Sequence, residues 1–186
     1  VKNKELIKRV LIGIFISVIA TAIYACRHII YYWWLRIITP KTKDEANNQI
    51  IKELHPVFAY KIAKLVKTRE NAGHNIILTS GFRSWEQQEE LYNSGETTAP
   101  PGSSLHNYGM AVDLNEDGIL KMATSASTWR NSGIVSDAEN MGMRWGGDFN
   151  NYDPVHFDYM KKYDINLLKG LYQNGHLVQK KYVKIW

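Results

Sequence analysis

Hydrophobic and polar positions fall into two regimes along the chain. From Val10 to Ala25 the sequence is uncharged and largely apolar, bounded by Arg9 and Arg27. With Cys26 this run reaches the lower end of the roughly 17–25 residues that cross a bilayer as a helix. Tyr31-Tyr32-Trp33-Trp34 follows, and such half-polar aromatic side chains settle at lipid headgroups. Residues 6–30 therefore read as a membrane anchor within an N-terminal segment spanning 1–38. A cleaved signal segment is the alternative, since the basic start, the apolar stretch and Ala20-Thr21-Ala22 also fit one. Residues 39–43 read as a polar linker and 44–186 as a folded domain.

Within that domain the periods are those of short mixed elements. Thr42 and Glu45 form a capping box for a helix to about Leu54. Pro56 opens a second helix at its tolerated first position. Phe58, Ile62, Leu65 and Val66 give it an apolar stripe, and Asn71-Ala72-Gly73 ends it. Asn75–Thr79 is rich in β-formers between turn residues and reads as a strand. Ser84 and Gln87 make another capping box, for a helix to about Asn93. Residues 94–105 form a long loop with too little apolar content to pack alone, a kind of loop that is often functional. Strands are expected at Met110–Leu114, Met143–Trp145 and Val155–Tyr159, helix and turns over 123–141, and a last helix from Asp164 to about Asn174. The tail from His176 to Trp186 carries no clear pattern. This order predicts an α+β fold around a small antiparallel sheet.

Composition changes the picture in two places. The chain of 186 residues is 45% hydrophobic, enough for one modest core. Its net charge of +5 points to an anionic partner until it is divided. Residues 1–43 hold eight basic side chains against Glu5, so the remainder is slightly acidic. No electrostatic footprint for nucleic acid remains in the domain. Basic residues flank the apolar run equally on both sides, so the positive-inside rule does not orient it. The single cysteine, Cys26, cannot form an internal disulfide; its place after Ile-Tyr-Ala also admits a lipid-modification site, for which Tyr24 is a poor fit.

Candidate chemistry lies in two stretches, Ser104–Asp113 and Asp153–His156. Together they offer two imidazoles and a carboxylate, the N,N,O donor set of a zinc site that leaves its fourth position to water. His106 and Asp113 are seven apart, which suits neither one helix side nor one strand face. They converge only if His106 sits in a loop and Asp113 on the following strand, with Gly109 permitting the bend. Asp153 and His156 flank a proline that enforces extended or turn geometry. In that arrangement His106, Asp113 and His156 hold Zn2+, and Asp153 accepts a proton from water and passes it to the leaving amine. The plainer readings are a turn-capping aspartate before proline for Asp153 and a half-buried strand histidine for His156.

The motif Ser-x-His-x-x-Gly-x-Ala-x-Asp followed by Asp-x-x-His-Phe resembles that of the zinc D,D-carboxypeptidase and L-alanyl-D-glutamate endopeptidase family of peptidoglycan peptidases, in its endolysin-like branch. The resemblance runs from about Leu54 to Tyr159 and includes Thr79–Ser84, Glu86–Tyr92 and Trp145–Phe149. It implies a D,D-peptidase or hedgehog-like fold and hydrolysis of peptidoglycan stem peptides. It also implies His106, Asp113 and His156 as zinc ligands and Asp153 as general base. By the same resemblance Arg83 binds the scissile carbonyl and stabilises the developing oxyanion, and Ser104 contacts substrate; without it, Arg83 is equally a surface salt bridge and Ser104 a loop hydroxyl. Residues 115–142 carry no matching motif. Peptidoglycan lies outside the membrane, so a monomeric, membrane-anchored protein with its catalytic domain outside the cytoplasm, periplasmic or at the cell surface, is expected. A wall-binding module that keeps the fold without the chemistry is the alternative.

Overall fold

The apolar run and the aromatic cluster join in one helix. In the computed structural model, which describes residues 2–160, 164–178 and 181–185, α1 runs unbroken over Lys2–Ile38. Its stretch Ile7–Ile38 is long and apolar enough to cross a membrane, and the most apolar window is wholly exposed. The last turns differ. His28, Tyr32 and Leu35 recur at helical spacing and are buried. The four aromatics therefore do not act as one headgroup cluster: Tyr32 turns into the protein while Trp33 and Trp34 stay exposed. The Tyr32 hydroxyl accepts the Ile185 N–H at 3.1 Å and donates to the Val183 carbonyl at 3.2 Å. Arg36 donates to the carbonyls of Ile51 and Leu54 and to the Tyr182 hydroxyl.

The tail supplies Tyr182, Val183 and Ile185 among these partners. It forms a hairpin of β5 (Leu177–Val178) and β6 (Tyr182–Val183), strands too short to leave a period in the sequence. Gln179, Lys180 and Trp186 of that tail lie outside the described residues.

Helix α2 (Glu45–Glu53) is capped by Asp44, whose side chain accepts the Ala46 N–H, and not by Thr42. A carboxylate immediately before the first turn adds charge that the helix N-terminus favours. Thr42 is instead tied to Asn48 and to the Asp44 carbonyl. Helix α3 (Pro56–Asn71) follows, and Phe58, Ile62, Leu65 and Val66 are each fully buried, as their spacing requires.

Four strands form an antiparallel sheet in the order β1 (Ile76–Ser80), β2 (Ala111–Glu116), β4 (His156–Asp158), β3 (Arg144–Trp145). Side chains alternate across a strand, so register decides which residues share a face. Val112 pairs with Phe157, Leu78 with Leu114, and Trp145 with Phe157; these buried side chains make the core face. Asp113 pairs with His156, and Ala111 and Arg144 pair with Asp158, which places the polar residues on the opposite face. A bulge in β1 between Leu78 and Ser80 sets Ser80 opposite Asp113, adding it to that face.

Helix α4 (Trp85–Asn93) opens with the expected Ser84–Gln87 capping box. The stretch expected as helix and turns resolves into α5 (Ala126–Asn131) and α6 (Ile134–Asn140), separated at Gly133. Asp164 caps α7 (Ile165–Gln173). The architecture is α+β, with one long apolar helix leading into it.

Candidate metal centre and cleft

His106 lies in a 3-10 turn over Leu105–Tyr108, with Ser104 capping the turn by accepting the His106 N–H. Gly109 then reverses the chain at φ 64°, and a Cβ there would meet the His55 nitrogen at 2.6 Å. Only glycine fits both demands. The bend carries the chain into β2 and Asp113, so the seven-residue gap closes through a turn and a strand.

Asp153 and His156 face the same centre by another device. The His156 N–H donates to the Asp153 carbonyl at 3.1 Å, closing a turn around Pro154. The Asp153 N–H in turn donates to the Gly146 carbonyl at 3.1 Å. A Cβ on Gly146 would lie 2.3 Å from the Asp153 carbonyl oxygen and 2.9 Å from the His156 Cβ. The Trp145-Gly146 stretch thus lets the Asp153 loop approach the sheet.

Three donor atoms converge. His106 Nε2 lies 3.3 Å from His156 Nδ1, His156 Nδ1 lies 3.1 Å from Asp113 Oδ1, and His106 Nε2 lies 3.4 Å from Asp113 Oδ1. Ligands about 2.0–2.1 Å from a tetrahedral zinc stand about 3.3 Å from one another. The triangle fits that ion. The outward nitrogens also have partners of the kind metal-bound histidines use: His106 Nδ1 meets the Gly81 carbonyl at 2.6 Å, and His156 Nε2 lies 3.4 Å from Asp158 Oδ2.

Electrostatics agree with this geometry. Burial alone would raise the Asp113 carboxyl, yet the His106 and His156 rings hold it well below the usual carboxylate range. Burial likewise disfavours charge on His156, but Asp113 and Asp158 push that imidazole up to about 9. Donor atoms so placed draw positive charge into their midst. Asp153 behaves oppositely: burial pushes its carboxyl up, with His156, Asp113, His106 and Arg83 as further electrostatic neighbours.

Arg83 follows β1 and donates through Nε and Nη2 to the Ser80 hydroxyl and through Nη2 to Asp113 Oδ2 at 2.8 Å. It therefore grips the carboxylate oxygen turned away from the triangle while its guanidinium lines the cleft. That cleft, of about 890 Å³, is also lined by Ser104, His106, Asp113, Asp153 and His156. The 94–105 loop forms one bank through Glu96, Thr97 and Ser103; Met122, Phe149 and Tyr152 contribute to the lining from other segments. The Tyr152 hydroxyl donates to the Thr124 carbonyl, joining two of those segments, so residues from the motif-free 115–142 stretch do reach the cleft.

All six residues singled out in the sequence meet in this cleft. Sequence reasoning assigned no site role to Ser80, Gly81, Arg144, Phe149 or Asp158, although Ser80, Gly81 and Phe149 lie in stretches that carry the family resemblance. Asp158 could have been found, because two residues beyond His156 on a strand is the same face; Ser80 could not, because a bulge leaves no mark in the periodicity. A second grouping, His74, Glu116 and Asp117, stands at the far end of β1 and β2. It is already satisfied: Arg69 pairs with Glu116 at 2.6 Å and His74 with Asp117 at 2.7 Å.

The family model described as D-alanyl-D-alanine carboxypeptidase matches residues 97–159, which contain the two histidines, Asp113 and Asp153. The chain is 32% identical over 117 residues to the peptidoglycan L-alanyl-D-glutamate endopeptidase CwlK of Bacillus subtilis (strain 168), covering 54% of this chain and 69% of that protein. Among solved structures, the L-Ala D-Glu endopeptidase ChiX of Serratia marcescens is 20% identical with a TM-score of 0.49, covering 66% of this chain and 92% of that one. A variant of the vancomycin-resistance D,D-pentapeptidase VanY, solved with Zn(II), is 23% identical with a TM-score of 0.43, covering 57% and 72%.

Proposed function

Since the chain belongs to the D-alanyl-D-alanine carboxypeptidase family of peptidoglycan peptidases, we propose that it is a zinc metallopeptidase that hydrolyses peptidoglycan stem peptides, as an L-alanyl-D-glutamate endopeptidase or a D-alanyl-D-alanine carboxypeptidase. The observation that carries this reading is the donor triangle of 3.1–3.4 Å with Asp153 lining the same cleft. His106 Nε2, His156 Nδ1 and Asp113 Oδ1 would hold the ion. When bound, zinc polarises a carbonyl and lowers the pKa of water toward about 7.

The chain's own residues do the rest. Asp153, its proton affinity raised by burial, takes a proton from the attacking water on its carboxylate and delivers it to the leaving amine. Arg83, fixed by Ser80 and Asp113, presents its guanidinium to the negative charge that develops on the scissile carbonyl oxygen. Ser104 and the 94–105 bank line the cleft that holds the peptide in place.

The apolar helix gives this activity a location. From Val10 to Cys26 it runs about 26 Å at 1.5 Å per residue, and with Arg9 and Arg27 at its ends it approaches the roughly 30 Å of a bilayer's hydrocarbon core. In this reading residues 1–38 form the anchor, 39–43 the connection and 44–186 the catalytic domain. The domain faces out of the cytoplasm, toward its substrate. The protein works as a monomer, with each site built from one chain.

The test is Asp153→Ala. Zinc content measured by metal analysis should equal that of the wild type, while turnover of a stem peptide falls by about 10²- to 10⁴-fold. Near-normal turnover would remove Asp153 from the mechanism.

A further inference from the structure

The sheet face that carries Asp113 and His156 also carries a closed ring of side chains. Asp158, two residues beyond His156 on β4, is only 1% exposed. Its Oδ2 lies 3.4 Å from His156 Nε2. Arg144, opposite it on β3, donates Nε to Oδ1 and Nη2 to Oδ2, both at 2.7 Å. The Arg144 guanidinium sits 5.2 Å from the centre of the Phe149 ring, and that ring lies 5.8 Å from the His156 ring. The circuit runs His156, Asp158, Arg144, Phe149 and back to His156.

We propose that Asp158 and Arg144, with Phe149 beside them, form a clamp that positions His156, keeping the proton on Nε2 and the Nδ1 lone pair toward the metal. The proposal rests on the zinc reading above. A neutral imidazole carries one proton, and the partner of one nitrogen decides what the other can offer. A carboxylate facing Nε2 selects the tautomer in which Nδ1 is free to bind, and Nδ1 is the atom in the donor triangle.

Arg144 has two effects on Asp158. Its two-pronged grip fixes the plane of the carboxylate, which only a guanidinium does in this way. Its charge also offsets that of Asp158, so the buried carboxylate adds no net negative charge to a site that already holds Asp113 and Asp153. His106 needs no such pair, because a main-chain carbonyl, that of Gly81, faces its outer nitrogen. The outer nitrogens of the two histidines are thus held by different devices, a main-chain carbonyl for His106 and a side-chain carboxylate for His156. Arg144 and Asp158 are positioning residues.

The measurement is zinc affinity, by competition with a chromophoric chelator on the full chain in detergent, beside the melting temperature of the zinc-free protein. Asp158→Ala should weaken zinc binding about 10- to 100-fold, and Asp158→Glu should recover part of that loss. Arg144→Lys, which keeps the charge and loses the fork, should fall between wild type and Asp158→Ala. Asp158→Ala that binds zinc within twofold of wild type overturns the clamp and leaves the pair as a staple between β3 and β4. If Asp158→Ala does not fold, Asp158→Asn and Arg144→Lys decide the matter by the same readout: weakened binding supports the clamp, and unchanged binding overturns it. Wild-type protein that binds no zinc overturns the zinc reading itself, and the clamp with it.

Discussion

His55 shows how a single side chain ties distant parts of this chain together. It is fully buried, its Nδ1 accepts the Val57 N–H, and its Nε2 donates to the Val183 carbonyl at 2.9 Å. That pattern requires the neutral ring. Burial is the main cause that lowers its pKa from 6.5 to about 4, with nearby Arg36 adding to it and the Val183 bond opposing. The unfolded chain therefore takes up this proton first as pH falls. The contribution to stability is whole above about pH 6.5 and is lost as pH drops toward 4, amounting to about 3 kcal/mol. Denaturant midpoints at pH 7 and pH 4.5 should differ more in the wild type than in His55→Asn, which keeps a capping side chain; equal differences would remove His55 as the source. At this scale the two histidines and two of the aspartates that meet in the cleft were legible in the sequence, because the stretches Ser104–Asp113 and Asp153–His156 carry them. His55, Arg144 and Asp158 were less so, since their partners lie far along the chain or across a strand pair.

Among elements, the turns and strand pairings decide whether the site exists. Gly146 is the clearest case, because the Asp153 carbonyl occupies the space a methyl group would need. Gly146→Ala should lower stability by about 1–3 kcal/mol and displace Asp153, so that stem-peptide turnover drops more steeply than the melting temperature implies. Unchanged turnover would show that the loop has room to spare. The helices were legible from caps and apolar stripes, with the α2 cap misplaced because Asp44 competes with Thr42. The C-terminal hairpin was not legible, since strands of two residues carry no period. That hairpin receives α1, where Tyr32 packs edge-on to His55 with ring centres 4.8 Å apart. Tyr32→Ala should cost about 3 kcal/mol and release the end of α1, seen as faster tryptic cleavage at Lys41 and Lys43. A cleavage rate equal to wild type would mean that the contact does not secure the helix.

For the whole molecule, the division of charge and apolarity that opened the sequence becomes a division of tasks. The basic, apolar N-terminal segment is a helix suited to a bilayer, and the slightly acidic remainder is a peptidase-family domain whose cleft gathers two histidines, three aspartates and two arginines. The α+β class followed from the order of short elements. What the sequence alone did not convey is that the last turns of α1 are packed on the domain, because an apolar helix face looks the same whether lipid or protein covers it. The central claim, that this cleft cuts stem peptides with the help of zinc, is tested most directly by digesting purified peptidoglycan with the full chain in detergent. Products are read by mass spectrometry with zinc, with chelator, and with chelator followed by zinc. The account predicts cleavage at one stem-peptide bond that chelator abolishes and zinc restores, and the masses identify the bond as L-alanyl-D-glutamate or D-alanyl-D-alanine. Peptidoglycan left intact by the folded, zinc-loaded protein, or cut equally well in chelator, would contradict it.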